Sequence, residues 1–305
     1  MIGIDVGGTT IKGIRVSADG RVECERRCPT PSPDPTGERV VDAVAGLVDE
    51  LGGVTDAPIG LVVPGIVDEV DGIAVRSMNV GLRDAPVRAL AEARLGTAVA
   101  FGQDVRAGAL AELRSGAARG VSGSLAFVPI GTGVAAAFVV DGHPLVSGGW
   151  AGEIGQNVLP SGPFAGLRME EVASASATAR RAGEPDARAV AARVAAGDAD
   201  ALAVWNDTVA VLADALTAIV VTIAPEMIVV GGGLAQAGAL LLDPLGVALT
   251  ERIGGLRAPR LVAARHGDIA AALGAAYLAA DLAEATTAPA AAAAAAGTAS
   301  SRSAR

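Results

Sequence analysis

The chain opens on apolar positions set two apart: Ile2, Ile4 and Val6 in "MIGIDV" alternate as one face of a strand does. A glycine turn, a second run "IKGIRVSA", the dipeptide Asp19-Gly20 and a third run "RVECERR" follow. Asp-Gly between such runs favours a tight hairpin, so the pattern predicts an antiparallel meander, ended by "PTPSPDPTG". The period then changes. From Glu38 to about Leu51, "ERVVDAVAGLVDEL" places Val40, Val41, Val44, Leu47, Val48 and Leu51 on one helical face. "PIGLVVPG" reads as a fourth, buried strand, Pro86 to Leu95 as a helix, "AVAFGQDV" as a strand, and "RAGALAELRSGA" as the helix leading away from it. Strands alternating with helices predict an α/β fold.

The second half repeats the first. "SLAFVPIGTGVAAAFVVDGHPL" has the same order of apolar strand, Gly-Thr turn, small-residue strand and Asp-Gly hairpin as "IGIDVGGTTIKGIRVSADGRV", which suggests a duplicated domain. A long helical region is predicted from about Glu170 to Ile223, then a strand in "PEMIVVGGGLAQAG" that opens on three glycines, and a last helix, "DIAAALGAAYLAADLAEA". Beyond it, "TTAPAAAAAAAGTASSRSAR" is low in complexity and offers no amphipathic face, so it reads as a disordered tail.

Composition narrows the possible partners. A hydrophobic share of 51% with 19% charged residues over 305 residues reads as a folded chain long enough for two domains. A net charge of -9 and a pI near 4.8 argue against nucleic acid, whose phosphates need clustered Lys and Arg. There is no charged start followed by a long apolar stretch, and apolar runs are interrupted by Gly, Asp or Pro well short of a membrane span; the expectation is a cytoplasmic protein. Cys24 and Cys28 have no second pair near them and read as buried or partly buried free thiols.

The glycine turns carry the first chemistry. Gly7, Gly8, Thr9 and Thr10 between antiparallel strands would expose backbone N–H groups and small hydroxyls able to cradle phosphate oxygens. Asp5, at the end of its strand, could hold Mg²⁺ through water. One such turn could equally be a plain hairpin with an aspartate capping its own backbone, but two similar turns favour phosphate. Gly231, Gly232 and Gly233 follow a buried strand where a nucleotide could approach closely, or where a strand simply turns into a helix. Asp104 lies between a strand and a helix, placed either to face a ligand or to cap the helix. Glu153, among glycines in an apolar neighbourhood, suits a buried hydrogen-bonding carboxylate.

In that order, "DVGGTTIKG", "VPGIVD", "FGQDVRAGALAE", "IGTGVAAAFVVDG", "GGWAGEIGQNVL", "APEMIVVGGGL" and "GDIAAALGAAYLA" resemble the motifs of the ROK family of sugar kinases and sugar-responsive repressors, over roughly residues 1 to 282. The resemblance implies the actin-like ATPase (ribonuclease H-like) fold: two similar α/β domains with mixed sheets and a ligand cleft between them. The expected boundaries are 1–108 joined by the last helix, 268–284, then 109–267, with the tail at 285–305. It also implies ATP and Mg²⁺ as cofactors. Asp5, Gly7, Gly8, Thr9, Thr10 and Lys12 would form one phosphate turn, Gly131, Thr132 and Gly133 the other, and Gly231 to Gly233 would lie beside the nucleoside. Asp104 matches the family's catalytic base, which accepts the proton of the attacking sugar hydroxyl. Asn79, Gln103, Glu153, Gln156 and Glu170 fall at sugar-binding positions; for Glu170 an exposed first-turn helix charge, and for Asn79 a loop-turn role, are the alternatives. Neither His143 nor His266 looks catalytic.

Two positions depart from the family. Gln156 stands where most members place a zinc-binding His, and "NVLPSGPFAGLRMEEVAS" has no cysteine, so no zinc is expected and the loop must be held by packing, through Phe164, Leu167 and Met169. Gln103 replaces the usual Asn before the base, which puts the choice of sugar in question. The reading is an ATP-dependent kinase acting on the 6-hydroxyl of a hexose or amino-hexose, glucose or kanosamine (3-amino-3-deoxyglucose), and forming a homodimer. The competing class is a sugar-binding sensor or repressor; family repressors carry a helix-turn-helix domain before the first phosphate turn, which here begins at residue 3. A polyphosphate donor would want a basic groove, which the net charge of -9 does not favour.

Overall fold

In the computed structural model, residues 1–54 and 57–286 are described, together with the backbone course of 287–302. The elements in chain order are β1 (Ile2–Val6), β2 (Thr10–Val16), β3 (Val22–Pro29), α1 (Glu38–Glu50), β4 (Ile59–Val63), β5 (Ile66–Asp68), β6 (Ile73–Arg76), β7 (Arg83–Ala85), α2 (Val87–Leu95), β8 (Val99–Gln103) and α3 (Asp104–Ser115). They continue as β9 (Leu125–Pro129), β10 (Ala137–Val140), β11 (His143–Pro144), α4 (Met169–Ala173), α5 (Ala175–Ala182), α6 (Ala187–Ala195), α7 (Ala199–Ile223), β12 (Met227–Gly231), α8 (Gly232–Ala235), α9 (Ala239–Ile253), β13 (Arg260–Ala263) and α10 (Ala270–Arg302). The chain divides into one unit of Met1–Ala107 with Ala271–Arg305 and a second of Gly108–Ala270. The tail expected at 285–305 lies, but for its first two residues, outside the side chains described.

In the first unit the sheet order is β3-β2-β1-β4-β8. The predicted meander is present: β1 pairs antiparallel with β2, and β2 with β3, while β1, β4 and β8 run parallel. The valines of α1 and Leu47 are buried with Ile4, Ile11 and Leu61 in the core. Each such side chain, fully buried, contributes about 1.5–3 kcal/mol. Against the sheet α10 lies so close that a Cβ built on Gly60 would fall 1.8 Å from the Ala275 carbonyl oxygen, and one on Gly3 2.0 Å from that of Ala272. Only glycine in β1 and β4 permits that approach. Not predicted was a three-stranded sheet, β5-β6-β7, whose strands of three or four residues are too short to show a period.

The second unit repeats the plan, with order β11-β10-β9-β12-β13 and the same alternation: two antiparallel pairings, then two parallel ones. The helical region expected from about Glu170 to Ile223 is four helices. Ser174, Asp186 and Asp198 accept the N–H groups of Ala177, Ala189 and Ala201 and so start α5, α6 and α7. Two helical stretches, Ala199–Ile223 and Gly267–Thr286, are long and apolar enough by length and composition to cross a membrane, which corrects the expectation that every apolar run stops short of a span. Their apolar character serves the cores instead: Trp205, Leu212, Leu216 and Val220 of α7 are buried in the second unit, and Ala275 packs with Val62 in the first. Glu112, fully buried, accepts the N–H groups of Arg265 at 2.9 Å, His266 at 2.8 Å and Ala117 at 2.7 Å, which satisfies a carboxylate that burial would otherwise make costly.

Because Gly60 faces backbone rather than a movable side chain, Gly60→Ala should destabilise the protein by about 1–3 kcal/mol or more through overpacking. A fall in the urea midpoint checks this; an unchanged midpoint would show that α10 can move off the sheet.

Candidate functional site

In each unit the parallel strands end on one edge of the sheet, the edge where open α/β sheets place ligands. In the first unit Asp5 is the last residue but one of β1 and Gln103 the last of β8. Only β4 separates the two strands, a distance of about 10 Å. After β1 the turn Gly7-Gly8-Thr9 closes by Gly7 N–H to Thr10 carbonyl, 3.0 Å, and is tied to the end of β3 by Thr30 Oγ1 to Gly7 carbonyl, 2.7 Å. Thr10 begins β2. A Cβ on Gly8 would meet the Cβ of Asn79 at 2.8 Å, so the turn packs on the exposed Asn79 loop and the structure brings these two predicted sites together. Lys12, the chain's one lysine, sits opposite Asp5 in the β1–β2 register; both are half-buried.

At the end of β8 stands Asp104, half-buried in the first turn of α3. Its Oδ1 accepts the Val105 N–H at 2.8 Å and the Gln103 Nε2–H at 2.6 Å. Asp104 thus takes one N–H of the helix start, and Gln103 takes the next, its Oε1 accepting the Arg106 N–H at 2.8 Å. Behind them Arg106, 6% exposed, donates Nε–H to Glu69 Oε1 at 2.8 Å, and the same oxygen accepts the Gln103 N–H at 3.1 Å. Glu69 and Arg106 were not singled out from the sequence. The sequence carries no signal for either: glutamine is not a preferred cap, and the bond it accepts comes from the Arg106 backbone, which any residue would offer.

In the second unit the turns after β9 and β12 meet. Ile130 N–H bonds to the Gly231 carbonyl at 2.9 Å, and Gly232, with φ of +77°, lies so near that its Cβ would be 2.4 Å from the Ile130 carbonyl oxygen. Gly131, Thr132 and Gly233 are thereby brought to one cavity of about 670 Å³. It is also lined by Ser176, Arg180 and Arg188, which sequence reasoning missed because they lie on helices α5 and α6 among ordinary surface charges. Glu184 and Asp186 line it too, so its two guanidinium groups are matched by two carboxylates, and the small backbone turns give the room for close approach.

Comparison with known proteins decides the family: the ROK family model matches residues 1–282. The chain belongs to the ROK family. It is similar to the glucokinase of Halalkalibacterium halodurans, at 31% identity over 277 residues, 80% of this chain and 83% of that one. It is 34% identical over 291 residues to the bifunctional enzyme NanE/NanK of Brucella melitensis, matching 92% of this chain but 54% of that longer protein. The ROK family glucokinase of Streptomyces griseus, solved with glucose and AMPPNP, superposes with a TM-score of 0.80 at 26% identity, covering 91% of this chain and 98% of that one. The fold is accordingly that of the actin-like ATPases, two α/β domains each around a mixed sheet.

Within this ROK chain, the segment that departs from the family shows how it is held. Gln156 ends a short turn whose first carbonyl is that of the half-buried Glu153, with Gln156 N–H to Glu153 carbonyl at 3.1 Å. Its Nε2 donates to Glu170 Oε1 at 2.8 Å and its Oε1 accepts from Arg168 Nη1 at 3.1 Å. The other oxygen of Glu170 is nested between glycines: a Cβ on Gly133 would stand 2.8 Å from it and one on Gly155 3.1 Å. Gly133, Gln156 and Glu170, far apart in sequence, are thus in contact. Arg168 also bonds Glu171, whose carboxyl it holds below the ordinary value by side-chain and backbone hydrogen bonds. Of the residues expected to pack the loop, Met169 is buried and Phe164 stacks under the Arg181 guanidinium at 4.5 Å, but Leu167 is 43% exposed and does not. Backbone pairing of Leu159 with Leu167 and of Met169 N–H with the Asn157 carbonyl takes its place, leaving that side chain directed outward.

Proposed function

We propose that this ROK family chain is an ATP-dependent sugar kinase that transfers the γ-phosphoryl group to the 6-hydroxyl of a hexose or amino-hexose, with Asp104 as general base. The observation that carries the reading is the Asp104 carboxylate at the β8–α3 junction, oriented through Oδ1 by two donors. A carboxylate suffices as base, because positioning and charge neutralisation dominate phosphoryl transfer. The Gly131–Gly133 and Gly231–Gly233 turns, with Arg180 and Arg188, would take the nucleotide. Asp5, a single carboxylate beside a turn of bare backbone, fits a hydrated Mg²⁺, which would neutralise phosphate charge when bound. Gly7 to Thr10 and Lys12 would hold phosphate oxygens. A cytoplasmic homodimer working on free sugar completes the proposal.

For zinc the donors do not fit. Gln156 offers a neutral amide that is engaged with Glu170 and Arg168, and among the described residues no three His, Cys, Asp or Glu side chains gather as ligands. We propose that the Gln156–Glu170–Arg168 ring holds the loop instead.

The sugar reading starts from Glu153, Asn79 and Glu170. Since the amides of Gln103 and Gln156 are bonded to Asp104 and Glu170, an amino-sugar preference rests on the acidic groups rather than on the glutamines. A carboxylate held as Glu170 is can receive an ammonium as well as a hydroxyl. Kanosamine is the specific candidate, followed by glucosamine-type sugars.

Three outcomes are expected. Asp104→Asn should lower kcat by about 10²–10⁴ with little change in sugar binding, as measured by coupling ADP formation to turnover; near-wild-type turnover defeats the base assignment. Elemental analysis of purified protein should find zinc far below one equivalent, and tightly bound stoichiometric zinc would show that the loop has ligands not recognised. Across glucose, mannose, glucosamine, N-acetylmannosamine and kanosamine, kcat/KM for an amino-hexose should at least equal that for glucose. A glucose value about tenfold or more above every amino sugar, roughly 1.4 kcal/mol in transition-state binding, leaves a plain glucokinase.

A further inference from the structure

We infer that Gln103 is a positioning residue for the Asp104 carboxylate and not a sugar contact, with Arg106 and Glu69 holding it in turn. The inference rests on the reading of Asp104 as base. Gln103 is 6% exposed, so its amide has little access to a solute. Both ends of that amide are engaged: Oε1 accepts the Arg106 N–H at 2.8 Å and Nε2 donates to Asp104 Oδ1 at 2.6 Å. The orientation of the amide follows from its neighbours. A backbone N–H can only donate and an ionised carboxylate can only accept, so the oxygen must face Arg106 and the nitrogen Asp104; a flipped amide would set like groups against each other twice.

The support extends one layer further. Glu69 Oε1 accepts both the Gln103 N–H, at 3.1 Å, and the Arg106 Nε–H, at 2.8 Å. The Arg106 guanidinium also reaches the Val67 carbonyl at 3.5 Å. The loop after β5 is thereby tied to the junction that presents Asp104, and the side chain of Gln103 has one arrangement that satisfies every partner. Glutamine at this position therefore acts on the rate through the geometry of the base, and the identity of the sugar is set elsewhere.

The test compares kcat and sugar KM, with the best sugar of the panel, for wild type, Gln103→Glu, Gln103→Leu, Asp104→Asn and the double variant Gln103→Leu/Asp104→Asn. Gln103→Glu keeps the volume and the acceptor for Arg106 N–H while replacing the donor toward Asp104, so it keeps the helix cap. The expected result is a fall in kcat of about tenfold or more for Gln103→Glu and Gln103→Leu with KM within about threefold, and no further loss when Gln103→Leu is added to Asp104→Asn. A raised KM with unchanged kcat makes Gln103 a sugar contact and overturns the inference, as does wild-type kcat in folded Gln103→Glu or full additivity in the double variant. Active Asp104→Asn is a different failure, that of the base assignment itself, and is read from that single variant alone.

Discussion

The carboxyl ends of β1, β4 and β8 are held because α10 is packed on β1 and β4 backbone to backbone and meets β8 through the Leu278 side chain. At Gly3 and Gly60 the helix backbone occupies the space a Cβ would need. On the other face the valines of α1 close the core. A sheet clamped in this way fixes the positions of Asp5 and Gln103 on strand ends one strand apart, which the turns and the α3 helix then extend outward. Preorganisation of this kind is what a phosphoryl-transfer site needs, since positioning accounts for much of the rate.

The second unit solves the same problem from the same topology and then diverges in its details. Its strand ends carry turns too, but β9 and β12 bring theirs together, so that Gly232 lies against the Ile130 backbone and one cavity receives both. The scaffold repeats; the unequal loops set different side chains at its strand ends. The segment between β11 and α4 is the clearest case. An amide, a guanidinium and a carboxylate close a ring there, and the glycines at 133 and 155 leave the room that lets Glu170 sit inside it.

Much of this was legible in the chain. Period-two and helical patterns placed β1, β2, α1, β8 and β12, because each buries one regular face or is apolar throughout. The duplication showed in the repeated strand, Gly-Thr turn and Asp-Gly hairpin. What did not show were β5 to β7 and β13, too short or too exposed to have a pattern, and the partners of the site residues. Glu69 and Arg106 are separated by 37 residues and Gln156 and Arg168 by 12; only the closed fold makes them neighbours. Leu167 misled for the opposite reason: an apolar side chain in a loop carries no signal of which way it points, and backbone pairing decided it.

The use of glutamine beside Asp104 has its own physical logic. A guanidinium in that place would orient the carboxylate as well, but a full positive charge within about 4–6 Å lowers a carboxyl's pKa by roughly one to three units. On the proposed reading of Asp104 as general base, a proton acceptor weakened to that extent would transfer less readily, since efficiency follows basicity. An amide donates a hydrogen bond with no net charge, so it fixes the plane of the carboxylate without setting a full positive charge beside it. Arg106 is paired to Glu69 at 2.8 Å, and its backbone N–H is linked to Asp104 through the glutamine. The guanidinium is thus set against Glu69, one layer behind the Asp104 carboxylate, where it can stiffen the junction.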